Sequence, residues 1–208
     1  MNTRARVPST ITEPPKRRLG RSAVSVAPLG LGGAGIGNLF RKISDEHAQD
    51  VIRAALDADV ELIDTAPYYG FGLSERRIGA ALRAWPASRA IVSTKVGRGL
   101  EPLDGKPVEA TRHGFVSSEP FEPRFDYSYD GVMRSFESSL QRLAVERVGV
   151  LLCHDLGRMT HGAEHDAQLH EFLQGGYRAM QRLRAQGAVG AIGLGVNECE
   201  VCTTVLAD

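Results

Sequence analysis

Residues 29–37 read LGLGGAGIG, and Gly30, Gly32 and Gly35 satisfy G-x-G-x-x-G directly behind the apolar run AVSVAP (23–28). In a doubly wound dinucleotide-binding fold the last of these glycines opens a helix, because the pyrophosphate rests on that helix N-terminus. It opens none here. The segment NLFRKI (38–43) separates the glycines from the first capping signal, Ser44 or Asp45. The acidic residue that should close a second strand and hold a ribose is also misplaced, since Asp50 falls inside the first helical segment. The glycines therefore read as a strand end with small side chains, and the architecture is decided by the segments around them.

Ahead of them, residues 1–16 read as a mobile tail and RRLGRSAVSV (17–26) as a hairpin about Gly20, Arg21 and Ser22. Behind them, Ala48, Val51, Ile52, Ala55 and Leu56 recur at helical spacing. A short apolar strand, VELIDTA (60–66), comes next, then a helix, LSERRIGAALRAW (73–85), stopped by Pro86, then the strand RAIVSTKVG (89–97). A polar insertion containing Gly and Pro runs from Gly97 to Tyr127. Helical spacing returns at Val132, Phe136, Leu140 and Leu143, followed by the strand VGVLLCH (148–154). One further helix carries Leu169, Phe172, Leu173, Met180 and Leu183 and ends at Gly187; AVGAIGLGV (188–196) is a strand, and Val201 and Val205 begin a last helix.

Alternation of short apolar strands with amphipathic helices predicts an α/β fold with a mainly parallel sheet, either doubly wound or a (β/α)8 TIM-type barrel. The strand ends favour the barrel. Asp64, Lys95 and His154 close three successive strands, and a barrel gathers such residues at one mouth. Tyr69 follows Asp64 in the loop TAPYYG (65–70), beside Tyr68. A Lys or Asp on a core strand is costly to bury alone, so Asp64 and Lys95 are expected to satisfy each other.

With 42% hydrophobic residues the chain can bury a sizeable core as one domain over residues 17–208. Lys+Arg and Asp+Glu are both 25, so no net charge draws it to nucleic acid or to an acidic membrane surface. The opening residues lack an apolar run, which fits neither a signal peptide nor a membrane span, and three cysteines argue against a disulfide framework. A cytoplasmic protein is expected.

DTAPYYGFGLSERRIGAAL (64–82), IVSTKVG (91–97), LLCHD (151–155) and GAIGLGVNE (190–198) occur in an order that resembles the aldo-keto reductase superfamily. FDYSYDGVMRSFESSLQRL (125–143) and HDLG (154–157) are most similar to its branch of aldose and fucose 1-dehydrogenases and pyridoxal 4-dehydrogenase. The resemblance implies a catalytic set of Asp64, Tyr69, Lys95 and His154, the family spacing selecting Tyr69 over Tyr68. It implies NADP or NAD as cofactor, approached by Gly32, Gly33 and Asp64 and held at its carboxamide by Asn197. Lys95, fixed by Asp64, would stabilise the Tyr69 phenolate; Tyr69 would exchange the proton and His154 would orient the oxygen of a small carbonyl or sugar substrate. The chemistry requires no metal. Two plainer readings stand beside these: His154 as a core histidine next to Cys153, and Asn197 as a helix cap. A non-catalytic, nicotinamide-cofactor-binding regulatory subunit of the same fold is the alternative function.

Two further motifs were weighed. HGAEH (161–165) has the H-x-x-E-H order of a zinc protease but lies in a polar segment without an apolar stripe, and CEVC (199–202) is a lone C-x-x-C. A barrel takes about 250 residues, and about five β/α units are counted here, so residues 17–208 are expected to form the N-terminal portion of an incomplete barrel. The resemblance places the pyrophosphate loop and adenosine contacts in the remaining part. Weak or no nicotinamide binding by this chain alone is expected, with a second chain completing the barrel as one potential partner.

Overall fold

The computed structural model describes residues 15–86, 88–105, 107 and 109–207; of the tail expected over residues 1–16, residues 1–14 lie outside them. Arg17–Arg18 (β1) and Ser25–Val26 (β2) pair antiparallel as the expected hairpin. Gly30–Gly32 (β3) follows, then helix α1 (Asp45–Asp57), strand β4 (Leu62–Asp64), helix α2 (Leu73–Ala84) and strand β5 (Ile91–Val96). Ser44 is the cap that starts α1: its hydroxyl accepts from the His47 N–H at 3.1 Å. Ala48 and Ile52, one turn apart, put the apolar stripe of α1 fully into the core.

The insertion after β5 is more ordered than its composition suggests. Arg98–Pro102 (β6) pairs antiparallel with Phe121–Phe125 (β9), and Thr111–Arg112 (β7) pairs with Phe115–Val116 (β8). Helix α3 (Tyr129–Leu143), capped by Ser128, leads to β10 (Val148–His154). The single helix expected next is broken. It runs as α4 (Arg158–His161), a 3-10 turn, α5 (His165–Glu171), a π-helical turn over Phe172–Gly176 and α6 (Tyr177–Ala185). At Gly176 a Cβ would lie 2.5 Å from the Tyr127 carbonyl oxygen, so the widened turn sits where the helix presses on the start of α3. Strand β11 (Val189–Gly195) and helix α7 (Glu200–Ala207) complete the described chain.

The main sheet has the order β11-β10-β5-β4-β3 and is parallel throughout. Five β/α units in this order form an incomplete barrel, not a doubly wound sheet, because each strand is added to the same side of its predecessor. Ile63, Val92, Leu151 and Cys153 pack outward with Ile78, Phe136 and Met180 of the helices in one continuous core. The opposite face carries Asp64, Ser93 and Val150 in one register layer and Lys95 with Leu152 in the next. Among the described residues β3 and β11 are edge strands, and Gly30 and Gly32 are exposed. No helix among the described residues is long and apolar enough to cross a membrane.

Candidate active site

Three adjacent strands carry Asp64, Lys95 and His154 at their ends: Asp64 and His154 are the last residues of β4 and β10, and Lys95 is the last but one of β5, where Val96 follows it and pairs with Cys153. Register does the first part of the assembly. Asp64 lies beside Ser93, so Lys95, two residues on, projects from the same face one layer nearer the mouth. Its ammonium makes three bonds: to Asp64 Oδ2 at 2.6 Å, to the Thr65 carbonyl at 2.9 Å and to the Tyr69 hydroxyl at 3.0 Å. Asp64 Oδ1 accepts from the Ser93 hydroxyl at 2.8 Å. A buried ammonium is tolerable only when its donors are spent in this way.

The loop carrying Tyr69 is seated by the glycine segment. A Cβ on Gly37 would stand 2.7 Å from the Tyr69 carbonyl carbon, so only glycine lets the two backbones meet there. Gly33, buried, donates its N–H to the Asp64 carbonyl at 2.7 Å, while Gly32 pairs with Asp64 in register and stays open to solvent. Residues 33–40 form turns and α1 begins only at Asp45, so no helix N-terminus rises from these glycines. Their smallness serves backbone contact around Asp64 and Tyr69.

His154 is 5% exposed, with its ring edge-on to Tyr69 and to Tyr68 at 6.0 Å between centroids in each case. Burial, reinforced by Lys95 and Arg98, pushes its pKa down to about 3, so the ring is neutral. Its Nδ1 finds no hydrogen-bond partner among the described residues. The Tyr127 hydroxyl donates to the His154 carbonyl oxygen at 2.7 Å, and burial holds that hydroxyl well above the usual tyrosine range. Asn197 is exposed after β11, and its amide donates to Asp155 Oδ1 at 3.4 Å. The following helix starts at Glu200, so the Asn197 amide is turned to Asp155 and the neighbouring strand end.

The residues Asp64, Tyr69, Lys95 and His154 thus meet at one end of the sheet, with Asn197 linked to them through Asp155. The family spacing favours Tyr69 over the adjacent Tyr68. In the structure Tyr69 reaches Lys95 while Tyr68 lies under the Arg98 guanidinium, 3.4 Å from the ring centroid. Sequence reasoning missed Arg98, Asp155 and Phe115. Phe115, at the start of β8, packs edge-on to Tyr68 at 5.3 Å and beside Tyr69 at 6.4 Å, so the insertion walls the site. The one available signal was a second ionisable residue, Asp155, directly after the strand-end histidine.

The other motifs are used elsewhere. His161 Nε2 meets the Tyr127 hydroxyl at 2.9 Å, and His165 Nδ1 faces the Leu156 carbonyl at 3.2 Å, on helices separated by Gly162. Among the described residues no three His, Cys, Asp or Glu side chains converge as a metal site. Cys199 and Cys202 are free thiols at the start of α7.

The Aldo/keto reductase family profile matches residues 28–206. The chain is 39% identical over 201 residues to the pyridoxal 4-dehydrogenase of Microbacterium luteolum, covering 93% of this chain and 58% of that protein. It is 38% identical over 186 residues to a D-threo-aldose 1-dehydrogenase of a Pseudomonas species, covering 88% of this chain and 53% of that protein. The glycerol dehydrogenase structure from Gluconobacter oxydans superposes with a TM-score of 0.67 at 27% identity over 92% of this chain and 51% of that one. The chain therefore spans little more than half the length of the relatives it matches. With five barrel units in the right order, the expected side chains at one mouth and a profile match across nearly all of the described residues, the chain belongs to the aldo/keto reductase family.

Proposed function

We propose that the chain carries the proton-transfer machinery of an oxidoreductase that uses NADP or NAD to interconvert an aldose, or another small aldehyde or ketone, with its oxidised or reduced partner. The observation that carries this reading is the bonding of Lys95, whose ammonium is fixed by Asp64 and the Thr65 carbonyl and gives its remaining hydrogen to Tyr69. Because the Tyr69 oxygen accepts from Lys95, its own proton is free to point to a substrate oxygen. A cation at that distance stabilises the phenolate left behind. In the reductive direction Tyr69 gives the proton; in the oxidative direction it takes one. Neutral His154 donates to the substrate oxygen and sets its direction relative to Tyr69.

The residues at the mouth fit a nicotinamide cofactor. Asn197 presents an exposed amide after β11, and Gly32 leaves open space at the end of β3, beside Asp64. Asn197 would hold the carboxamide, with Gly32, Gly33 and Asp64 lining the approach. When bound, the nicotinamide accepts or supplies the hydride. The names of the relatives, one acting on pyridoxal and one on an aldose, support a small carbonyl or sugar as substrate. Residues 17–208 form the N-terminal portion of the barrel in this reading; further residues of the polypeptide, or a second chain, complete it at the β3 and β11 edges. Three free thiols suit a reducing, cytoplasmic setting.

The test is absorbance at 340 nm with L-fucose, D-arabinose, pyridoxal and simple aldehydes against both cofactors, on this chain and on any longer natural product containing it. Turnover that falls about 10²–10⁴-fold in Tyr69→Phe, with an unchanged melting temperature, supports the reading. Unchanged turnover rejects Tyr69 as the acid/base. Cofactor binding without turnover of any substrate favours the regulatory subunit.

A further inference from the structure

Asp155 stands one residue past the end of β10 with φ 51°, a left-handed conformation that few residues other than glycine adopt. Its N–H donates to the Gly195 carbonyl at 3.0 Å, which plants the residue between the ends of β10 and β11. From there one carboxylate meets three side chains from three segments. Oδ2 accepts from Arg98 Nη1 at 2.7 Å and lies 3.5 Å from His154 Nε2; Oδ1 accepts from Asn197 Nδ2 at 3.4 Å. Arg98 and Asp155 side chains are each only 13% exposed. The Arg98 guanidinium lies 3.4 Å from the Tyr68 ring centroid and 4.8 Å from that of Phe125. A planar cation held by two rings has little rotamer freedom left, so it fixes the carboxylate it grips.

We propose that Asp155 is a positioning residue of the site: its carboxylate holds the Asn197 amide and faces the His154 ring, and Arg98, delivered by the insertion, keeps that carboxylate in place. The proposal rests on the substrate-orienting and carboxamide-holding parts given above to His154 and Asn197. With Nδ1 buried and unpartnered among the described residues, the proton of the neutral His154 ring is assigned to Nε2, which lies 3.5 Å from Asp155 Oδ2 without bonding to it and so keeps its hydrogen for a substrate oxygen. The charged and titratable groups around it are Lys95 on β5, Arg98 on β6, Asp155 beyond β10 and Tyr68 and Tyr69 in the β4 loop. Among the described residues Arg98 and Asn197 share no direct hydrogen bond, and Asp155 is the group bonded to both.

That separation supplies the test. Nuclear magnetic resonance of the 208-residue chain follows the Asn197 side-chain amide and the His154 ring, assigned by their own substitutions. Arg98→Ala is expected to shift both while leaving the Lys95 and Tyr69 signals in place. In an Asp155→Ala background the same Arg98→Ala change is expected to leave Asn197 where it was. An Asn197 amide that ignores Arg98→Ala, or still responds to it without Asp155, overturns the proposal. If Arg98→Ala does not fold, Arg98→Met keeps the stem over Tyr68 and carries the same comparison. In any catalytically active form, Asp155→Ala should lower kcat and raise KM for the nicotinamide by about tenfold or more, with Asp155→Asn intermediate. Equal kcat and KM in wild type and Asp155→Ala also overturn it. The resonance experiment needs no turnover, so it decides the proposal even where the oxidoreductase reading fails.

Discussion

The two ends of the parallel sheet use similar charged residues to different effect. At the mouth, Lys95 is 6% exposed, 2.6 Å from Asp64, and shares its remaining hydrogens with Thr65 and Tyr69. At the opposite end, Lys16 is 40% exposed and meets Glu61 at 2.5 Å, and Arg89 lies 3.8 Å from Glu61 and 3.9 Å from Asp59. A hollow of about 710 Å³ opens at that end, lined by Lys16, Ser25, Arg147 and Gly190 among others. Volume is therefore a poor guide to the chemistry here. What separates the ends is how completely each charge is surrounded: a desolvated, multiply bonded lysine has one geometry and can steer a proton, whereas a wet one retains many and serves solubility and local order.

Removing Lys95 is the strongest way to break that contrast. In Lys95→Met the methylene stem is replaced nearly in kind, but Asp64, the Thr65 carbonyl and the Tyr69 hydroxyl all lose their donor. Stranding one member of a buried pair costs about 3–5 kcal/mol, and because Asp64 is a third exposed the expected loss is about 3 kcal/mol. Urea unfolding measures it. A loss under about 1 kcal/mol would put the mouth in the same class as the far end.

The neutral state of His154 sharpens the comparison through pH. Its pKa is pushed down to about 3, chiefly by burial with Lys95 and Arg98 adding, against about 6.5 in an unfolded chain. Between those values the unfolded state binds a proton that the native ring refuses, so stability rises with pH across this window and is lost as pH falls below about 6.5. His161, lowered by its own burial, adds in the same direction. Comparison with His154→Gln isolates the single ring. The gap in unfolding free energy between wild type and variant should move by about 2 kcal/mol from pH 7 to pH 5, against the wild type. A gap that stays constant over that range contradicts a neutral buried His154.

Most of the scaffold was legible because period and caps are local. Ser44, the Ala48–Ile52 stripe and the apolar strands ending in Asp64, Lys95 and His154 each announce themselves within a few residues of sequence. The insertion did not. Strands β6 and β9 contain Pro102 and Pro123, which argue against strands, and their order comes from pairing with each other across the chain. Asp155 and Arg98 are 57 residues apart, a contact no spacing rule reaches. The π-helical turn was hidden for a similar reason, since Leu169, Phe172 and Leu173 keep helical spacing while the distortion answers to Tyr127 on another element. The strand-end residues of the candidate site were thus readable from sequence, and their alignment, which depends on loops meeting in space, was not.

The smallest effect belongs to Lys16. Lys16→Ala removes the 2.5 Å partner of Glu61, but Glu61 keeps Arg89 at 3.8 Å, and its backbone carbonyl still accepts from the Ile91 N–H at 2.7 Å. Lys16 is the exposed member of the pair and Glu61, 9% exposed, keeps other partners, so the loss is expected at about 1 kcal/mol and the urea midpoint should move little. Salt separates the two lysines further. The Debye length falls to about 3 Å at 1 M ionic strength, which screens an exposed pair and reaches a buried one far less. Whatever Lys16→Ala costs in dilute buffer should disappear at 1 M sodium chloride, while the cost of Lys95→Met persists. A salt-resistant loss for Lys16→Ala as large as that for Lys95→Met would mean that the hairpin end is as desolvated as the mouth.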